Sequence, residues 1–219
     1  MDSTDAWAVV ADLAESQWGL LTTAQAADLG VTRLEMSRLV QRGFLERLAQ
    51  GVFRTRGSST EWLELKAAWL RLSPAEQLAQ RWRSRDAVVS HESAAALQGL
   101  GEFLGDVHEF TCPVRHRPRD PNIRIHVAVL AEGEVRIVDG LPVTTPLHTV
   151  QDLLAAGGDG GHVGSVLVDG LNQGLIEQHA VPAAIARHAR RYGCTDGEQL
   201  LELLIASSTP ALLVATPPR

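Results

Sequence analysis

The side chains best suited to chemistry in this chain are arginines gathered between residues 30 and 56. Arg33, Ser37 and Gln41 recur every four residues and so share one helical face, with Arg38 beside them and Arg42 closing the run. Met36, Leu39 and Val40 fall on the opposite, inward face. Arginine can grip guanine through two hydrogen bonds, and glutamine can do the same for adenine. A serine hydroxyl and a helix N-terminus both suit phosphate oxygens. Arg47, Arg54 and Arg56 follow on or just after an expected hairpin, a position from which arginine reaches a phosphate or the minor groove. Residues 30–56 hold six arginines against Glu35 and Glu46, whereas residues 1–29 hold five acids and no base. A basic block inside a chain of net charge −6 is a localised footprint for duplex DNA. The plainer alternative is a solvated arginine-rich face, or a protein-contact module.

Other candidate chemistry is weaker. Ser90-His91-Glu92-Ser93 sets a hydroxyl, an imidazole and a carboxylate side by side. We read it as a helix N-cap, with Glu92 favoured by the helix dipole, because neighbours on one turn rarely converge on a substrate. Lys66 is the only lysine, so lysine-dependent catalysis has one candidate. Gly164-Ser165 followed by Asp169 resembles the opening of a nucleotidyltransferase site, but no paired Asp-x-Asp follows to hold a metal. No phosphate loop or kinase catalytic loop is present. His116, His126 and His148 lack metal-ligand spacing, and Cys112 and Cys194 are too few and too far apart for a disulfide framework or a metal site. No catalytic residue, metal or cofactor is therefore assigned. Arg115, Arg117, Arg119 and Arg124, with His116, form a second basic stretch that we read first as a solvated loop, with contact to DNA phosphate or to an RNA as the alternatives.

The elements that would position the arginines follow from periodicity and caps. Asp5 to Gln17 reads as a helix. Thr22 with Gln25, and Thr32 with Glu35, are two capping boxes, each opening a helix that stops at a glycine, Gly30 and Gly43. Phe44–Leu48 and Gly51–Thr55 read as two strands of a hairpin. Helix, turn, helix and ribbon, in that order, make a winged helix-turn-helix whose second helix enters the major groove. Glu61–Leu72 is an amphipathic helix, and Ser73-Pro74-Ala75-Glu76 is expected to open another. Beyond Asp86, residues 107–114, 123–130 and 134–138 alternate as strands, and Asp139-Gly140 marks a hairpin. Thr145-Pro146 opens a helix through Ala156, and further helices cover 163–172, 182–191 and 196–206.

The expected fold is α+β. A winged helix-turn-helix (1–58) leads through a helical bridge (59–85) to a mixed α/β domain with a small sheet and terminal helices (86–207), then a loose tail (208–219). A chain of 219 residues can bury a sizeable core without staples. No apolar stretch is long enough to span a membrane, the start is acidic where a signal peptide is basic, and cysteine is sparse. We therefore expect a cytoplasmic protein.

Leu21-Thr22-Thr23-Ala24-Gln25-Ala26-Ala27-Asp28-Leu29-Gly30-Val31, then Leu39 to Leu48, then Gly51-Val52-Phe53-Arg54 resemble the N-terminal domain of AbiEi-type antitoxins. Val89 to Leu100, and Val138 to Pro146 with Thr149 and Asp152, resemble the following domain of actinobacterial members. The resemblance spans roughly residues 5–155. It implies a type IV antitoxin that represses its own operon by binding promoter DNA. It also implies a C-terminal domain that counters an AbiEii-type nucleotidyltransferase-like toxin, without requiring a stable complex. On that reading the RNA alternative for the second basic stretch is the toxin's RNA partner. The alternatives are a stand-alone regulator that senses a ligand or partner and, more remotely, an enzyme that modifies the toxin. A restriction-type nuclease, fused to this N-terminal half in some related chains, would need a lysine near clustered carboxylates, and Lys66 lies before the strands.

Overall fold

The computed structural model describes residues 3–103 and 107–208. The chain divides into two compact units: residues up to Ala87 together with 112–128, and residues 88–111 together with 129 onward. The tail expected at 208–219 falls outside the described residues from 209 onward.

In the first unit, α1 (Ser3–Glu15) leads through a tight turn to β1 (Leu20–Thr22). Then come α2 (Thr23–Asp28), α3 (Arg33–Gln41), β2 (Leu45–Ala49) and β3 (Val52–Thr55). The three strands form an antiparallel sheet of order β1-β3-β2. The core beneath α3 gathers Val10, Leu13, Leu21, Met36, Leu39 and Phe53, all buried. Trp7 stacks on Phe44 with ring centroids 5.0 Å apart, closing the end of α3 against α1. This is the expected winged helix-turn-helix, with β1 added. Sequence reasoning missed β1 because Leu20-Leu21-Thr22 is buried throughout and shows no alternation.

The helices α4 (Leu63–Leu72) and α5 (Leu78–Ser84) pack in this same unit. Arg81 is fully buried, its guanidinium 3.5 Å from the Trp69 ring centroid and donating to the Trp69 carbonyl at 2.6 Å. The helix expected from Pro74 begins only at Leu78. The side chain of Thr22 donates to the Pro74 carbonyl, and Gln25 Nε2 donates to the Glu76 carbonyl at 2.8 Å. Residues 73–77 thus pack as a turn against the capping residues of α2.

The second sheet has strand order β6-β5-β4-β8-β7, from β4 (Val88–Val89), β5 (His108–Cys112), β6 (Ile123–Val127), β7 (Val135–Val138) and β8 (Leu141–Thr144). Asp139 and Gly140, at φ of +48° and +76°, make the turn between β7 and β8. The helices of the second unit are α6 (His91–Leu97), α7 (Pro146–Ala156), α8 (Gly160–Asn172), α9 (Val181–Ile185) and α10 (Gly197–Ser208). They enclose one apolar core, with Leu100, Val150, Leu154, Leu167 and Leu204 at its centre. The helix expected over 182–191 ends at Ile185, and residues 186–192 continue as a tighter 3-10 turn. At Gly164 on α8, a Cβ would collide with the Leu204 carbonyl, so this pair of helices needs a glycine to pack.

Candidate nucleic-acid interface

The second helix of the pair, α3, is set by its first turn. Thr32 Oγ1 accepts the Glu35 amide at 3.3 Å, and Glu35 Oε2 accepts the Thr32 amide at 2.7 Å. Those bonds from Thr32 hold the Glu35 carboxyl below its usual pKa. Gly30, at φ +80°, makes the turn that an L-residue would resist. Upstream, the buried Gln17 and Gln25 side chains bond each other at 2.7 Å, joining the end of α1 to the start of α2.

With Met36 and Leu39 buried, α3 turns its other face outward. Arg33, Ser37, Arg38, Gln41 and Arg42 are all exposed. Between α3 and the wing lies a groove of about 520 Å³, lined by Arg33, Met36, Ser37 and Val40 on one side and by Arg47, Gln50, Gly51 and Phe53 on the other. Three of the expected residues, Arg33, Ser37 and Arg47, thus meet in one groove. Arg38, Gln41 and Arg42 continue the exposed face outside it. The remaining two are placed differently. Arg54 Nε donates to Glu46 Oε2 at 2.7 Å, and Arg56 Nε lies 3.4 Å from Glu46 Oε1. Both are therefore engaged by a carboxylate of the neighbouring strand. Arg47 lies over the Phe53 ring at 5.3 Å.

The structure adds residues that sequence reasoning passed over. Leu34, on the first turn of α3, is an apolar side chain 60% exposed beside Arg33. Gln50 and Gly51 at the wing tip line the groove. Residues 112–128, read from sequence as part of the C-terminal domain, belong to the first unit. Counted by unit, the sequence carries 15 Lys and Arg against 12 Asp and Glu in the first, a formal +3. The second carries 5 against 14, a formal −9. The −6 of the whole chain therefore conceals a basic helix-turn-helix unit.

The other candidates resolve into structural roles. The Lys66 ammonium is buried, donating to the Glu61 carbonyl at 3.1 Å and lying 5.4 Å from the Trp18 ring centroid. Ser90 is the N-cap of α6, but its hydroxyl faces His91 Nδ1 at 3.0 Å, and the carboxylate of Glu109 takes the Glu92 amide at 3.1 Å. His91 sits at φ +53°, with Nδ1 3.9 Å from Asp152. Among the described residues no group of His, Cys, Asp and Glu is placed to hold a metal ion.

The helix-turn-helix and its wing coincide with a known domain. Residues 9–56 match a family model of AbiEi antitoxin regulators. The matching family model is described as a transcriptional regulator, AbiEi antitoxin, and this AbiEi-type segment runs from the middle of α1 to the end of the wing. The family is one of regulators, not of enzymes. No curated protein matches the chain. Among solved structures, the chain is similar to the RV2827C protein from Mycobacterium tuberculosis, with a TM-score of 0.56 and 16% identity. That match covers 93% of this chain and 82% of the other, and it shows a shared fold. No helix among the described residues is long and apolar enough to cross a membrane.

Proposed function

We propose that this chain is an autoregulating antitoxin: its AbiEi-type unit binds and represses the promoter of its own operon, and its second unit counters a nucleotidyltransferase-like toxin in the cytoplasm. The observation that carries the reading is the exposed Arg33–Ser37–Arg38–Gln41 face of α3 beside the wing groove, in a basic unit whose residues 9–56 match the AbiEi antitoxin family. In this reading Arg33 and Arg38, exposed on α3, read guanine and Gln41 reads adenine. Ser37, Arg42 and Arg47 hold phosphates, and Arg56 can join them once it leaves Glu46. Arg54 supports the wing through Glu46 and comes last in this set.

The test is binding of the purified protein to its own upstream duplex and to a scrambled duplex across a salt series. Specific binding that weakens with salt is expected, because arginines that neutralise phosphates release counterions. Changing both Arg33 and Arg38 to Ala should remove about 1–3 kcal/mol of discrimination for each base pair they read and leave weak, unselective binding. A protein that ignores its own promoter at low salt is not a repressor of it. Co-expression with the neighbouring toxin gene tests the other half: growth rescue by the full chain is expected, and absence of rescue would remove the antitoxin role.

A further inference from the structure

The loop from Cys112 to Ile123 is remote in sequence from the helix-turn-helix yet packs in the same unit. Its two ends, Cys112 and Ile123, are buried. Ala128 donates its amide to the Cys112 carbonyl at 3.1 Å. Arg71 of α4 pins the middle through an ion pair with Asp120 at 2.5 Å, and the other Asp120 oxygen accepts the Asn122 amide at 2.9 Å. Held this way, His116, Arg117 and Arg119 line a concavity of about 660 Å³ together with Arg33, Gln50 and Arg71. Among the described residues no carboxylate lines it, and the loop's own acid, Asp120, is already matched by Arg71. Thr23, Arg33, Gln50 and Gly51 line both this concavity and the α3 groove, so they form a common wall between the two.

We infer that the loop carrying Arg115, Arg117 and Arg119 is a second phosphate clamp, gripping the backbone of the duplex beside the base pairs that α3 reads. The inference rests on the DNA-binding reading above. Duplex DNA fits because it presents one negative charge per roughly 1.7 Å of axis, and the cations here come from three separate segments around one hollow. The loop also sets the sign of the unit. Without the four arginines of residues 112–128, its formal charge would be −1 instead of +3. A clamp of this kind fixes position and carries no sequence information.

That separation of roles gives the test. Full-length protein, wild type and with Arg115, Arg117 and Arg119 all changed to Ala, is titrated against labelled own-promoter and scrambled duplexes from low to high KCl. A melting curve checks that the variant is folded. The clamp predicts that the variant binds both duplexes more weakly by the same factor, roughly ten-fold or more at moderate salt, with their ratio unchanged. The slope of log affinity against log salt becomes shallower by about 0.9 for each phosphate that the variant no longer neutralises. Arg117→Glu, a single exposed change, gives a second route and should weaken binding on both duplexes. Unchanged affinity and slope in both variants, with Arg33→Ala still losing preference, would overturn the clamp and leave the repressor reading standing. A changed ratio between the duplexes would overturn the backbone role as well. If wild type binds neither duplex in a salt-dependent way, clamp and repressor fall together.

Discussion

Arg47 and Arg54 lie on neighbouring strands of the wing and carry the same charge, yet their surroundings assign them different work. Arg54 is paired with Glu46 at 2.6 Å and is partly covered. To meet a phosphate it must first leave a carboxylate, and such a surface pair contributes only up to about 1 kcal/mol to stability. Arg47 is exposed and uses only its planar face on Phe53, which leaves its N–H groups for hydrogen bonds. Arg47→Ala should therefore weaken promoter binding several-fold, whereas Arg54→Ala should change it less than two-fold and lower the melting temperature slightly. Equal losses in the two titrations would mean that the Glu46 pair opens when DNA binds. The helical face of Arg33, Ser37 and Gln41 was legible in the sequence because a period of 3.6 residues fixes it. The commitment of Arg54 was not, since the Glu46–Arg54 pairing depends on strand register, which shifts between Arg47 and Ala49.

Helices α2 and α3 were legible because each carries its own start and stop signals. Thr22 and Thr32 make the two expected capping boxes, and Gly30 and Gly43 end the helices with positive φ. Elements ended by long-range partners were not. The late start of α5 depends on Thr22 and Gln25 reaching carbonyls about fifty residues away, and no local pattern reports that. The caps also make a prediction about α3 as a body. Thr32→Ala removes the acceptor for the Glu35 amide and the hydroxyl that bonds the Glu35 carboxylate at 2.7 Å. Loss of such a cap costs about 0.5–2 kcal/mol, or roughly 2–4 °C per kcal/mol in melting temperature for a chain of this size. DNA affinity should fall less than in Arg33→Ala, because the side chains proposed to touch DNA are all retained. A variant as stable as wild type in thermal denaturation would show that packing of Met36 and Leu39 alone fixes the helix.

Across the whole molecule, charge is sorted between the units, and the sorting was only half legible. The basic block at 30–56 stands out in sequence, but the second basic stretch joins it only through packing of residues 112–128 into the first unit. The second unit, at −9, repels itself, and a cation gained there stabilises it. His148 supplies one. Its Nδ1 lies 3.3 Å from Glu134 and its Nε2 3.4 Å from Asp152, joining α7 to the turn before β7. Burial opposes its charge and Arg187 adds to that opposition, but the Asp152 and Glu134 carboxylates outweigh both and raise its pKa above the ordinary 6.5. A raised pKa in the folded state means that protonation favours folding. The stabilisation is complete below about pH 6.5, the unfolded value, and is lost as pH rises through the folded pKa. Melting temperature should therefore fall between pH 6 and pH 8, and His148→Gln should flatten that slope while changing little at the alkaline end. Asp152→Asn should flatten it too, because the partner that raises the pKa most is gone. A slope identical in wild type and both variants would place the pH dependence elsewhere in the chain and leave the His148 bridge without a share in stability.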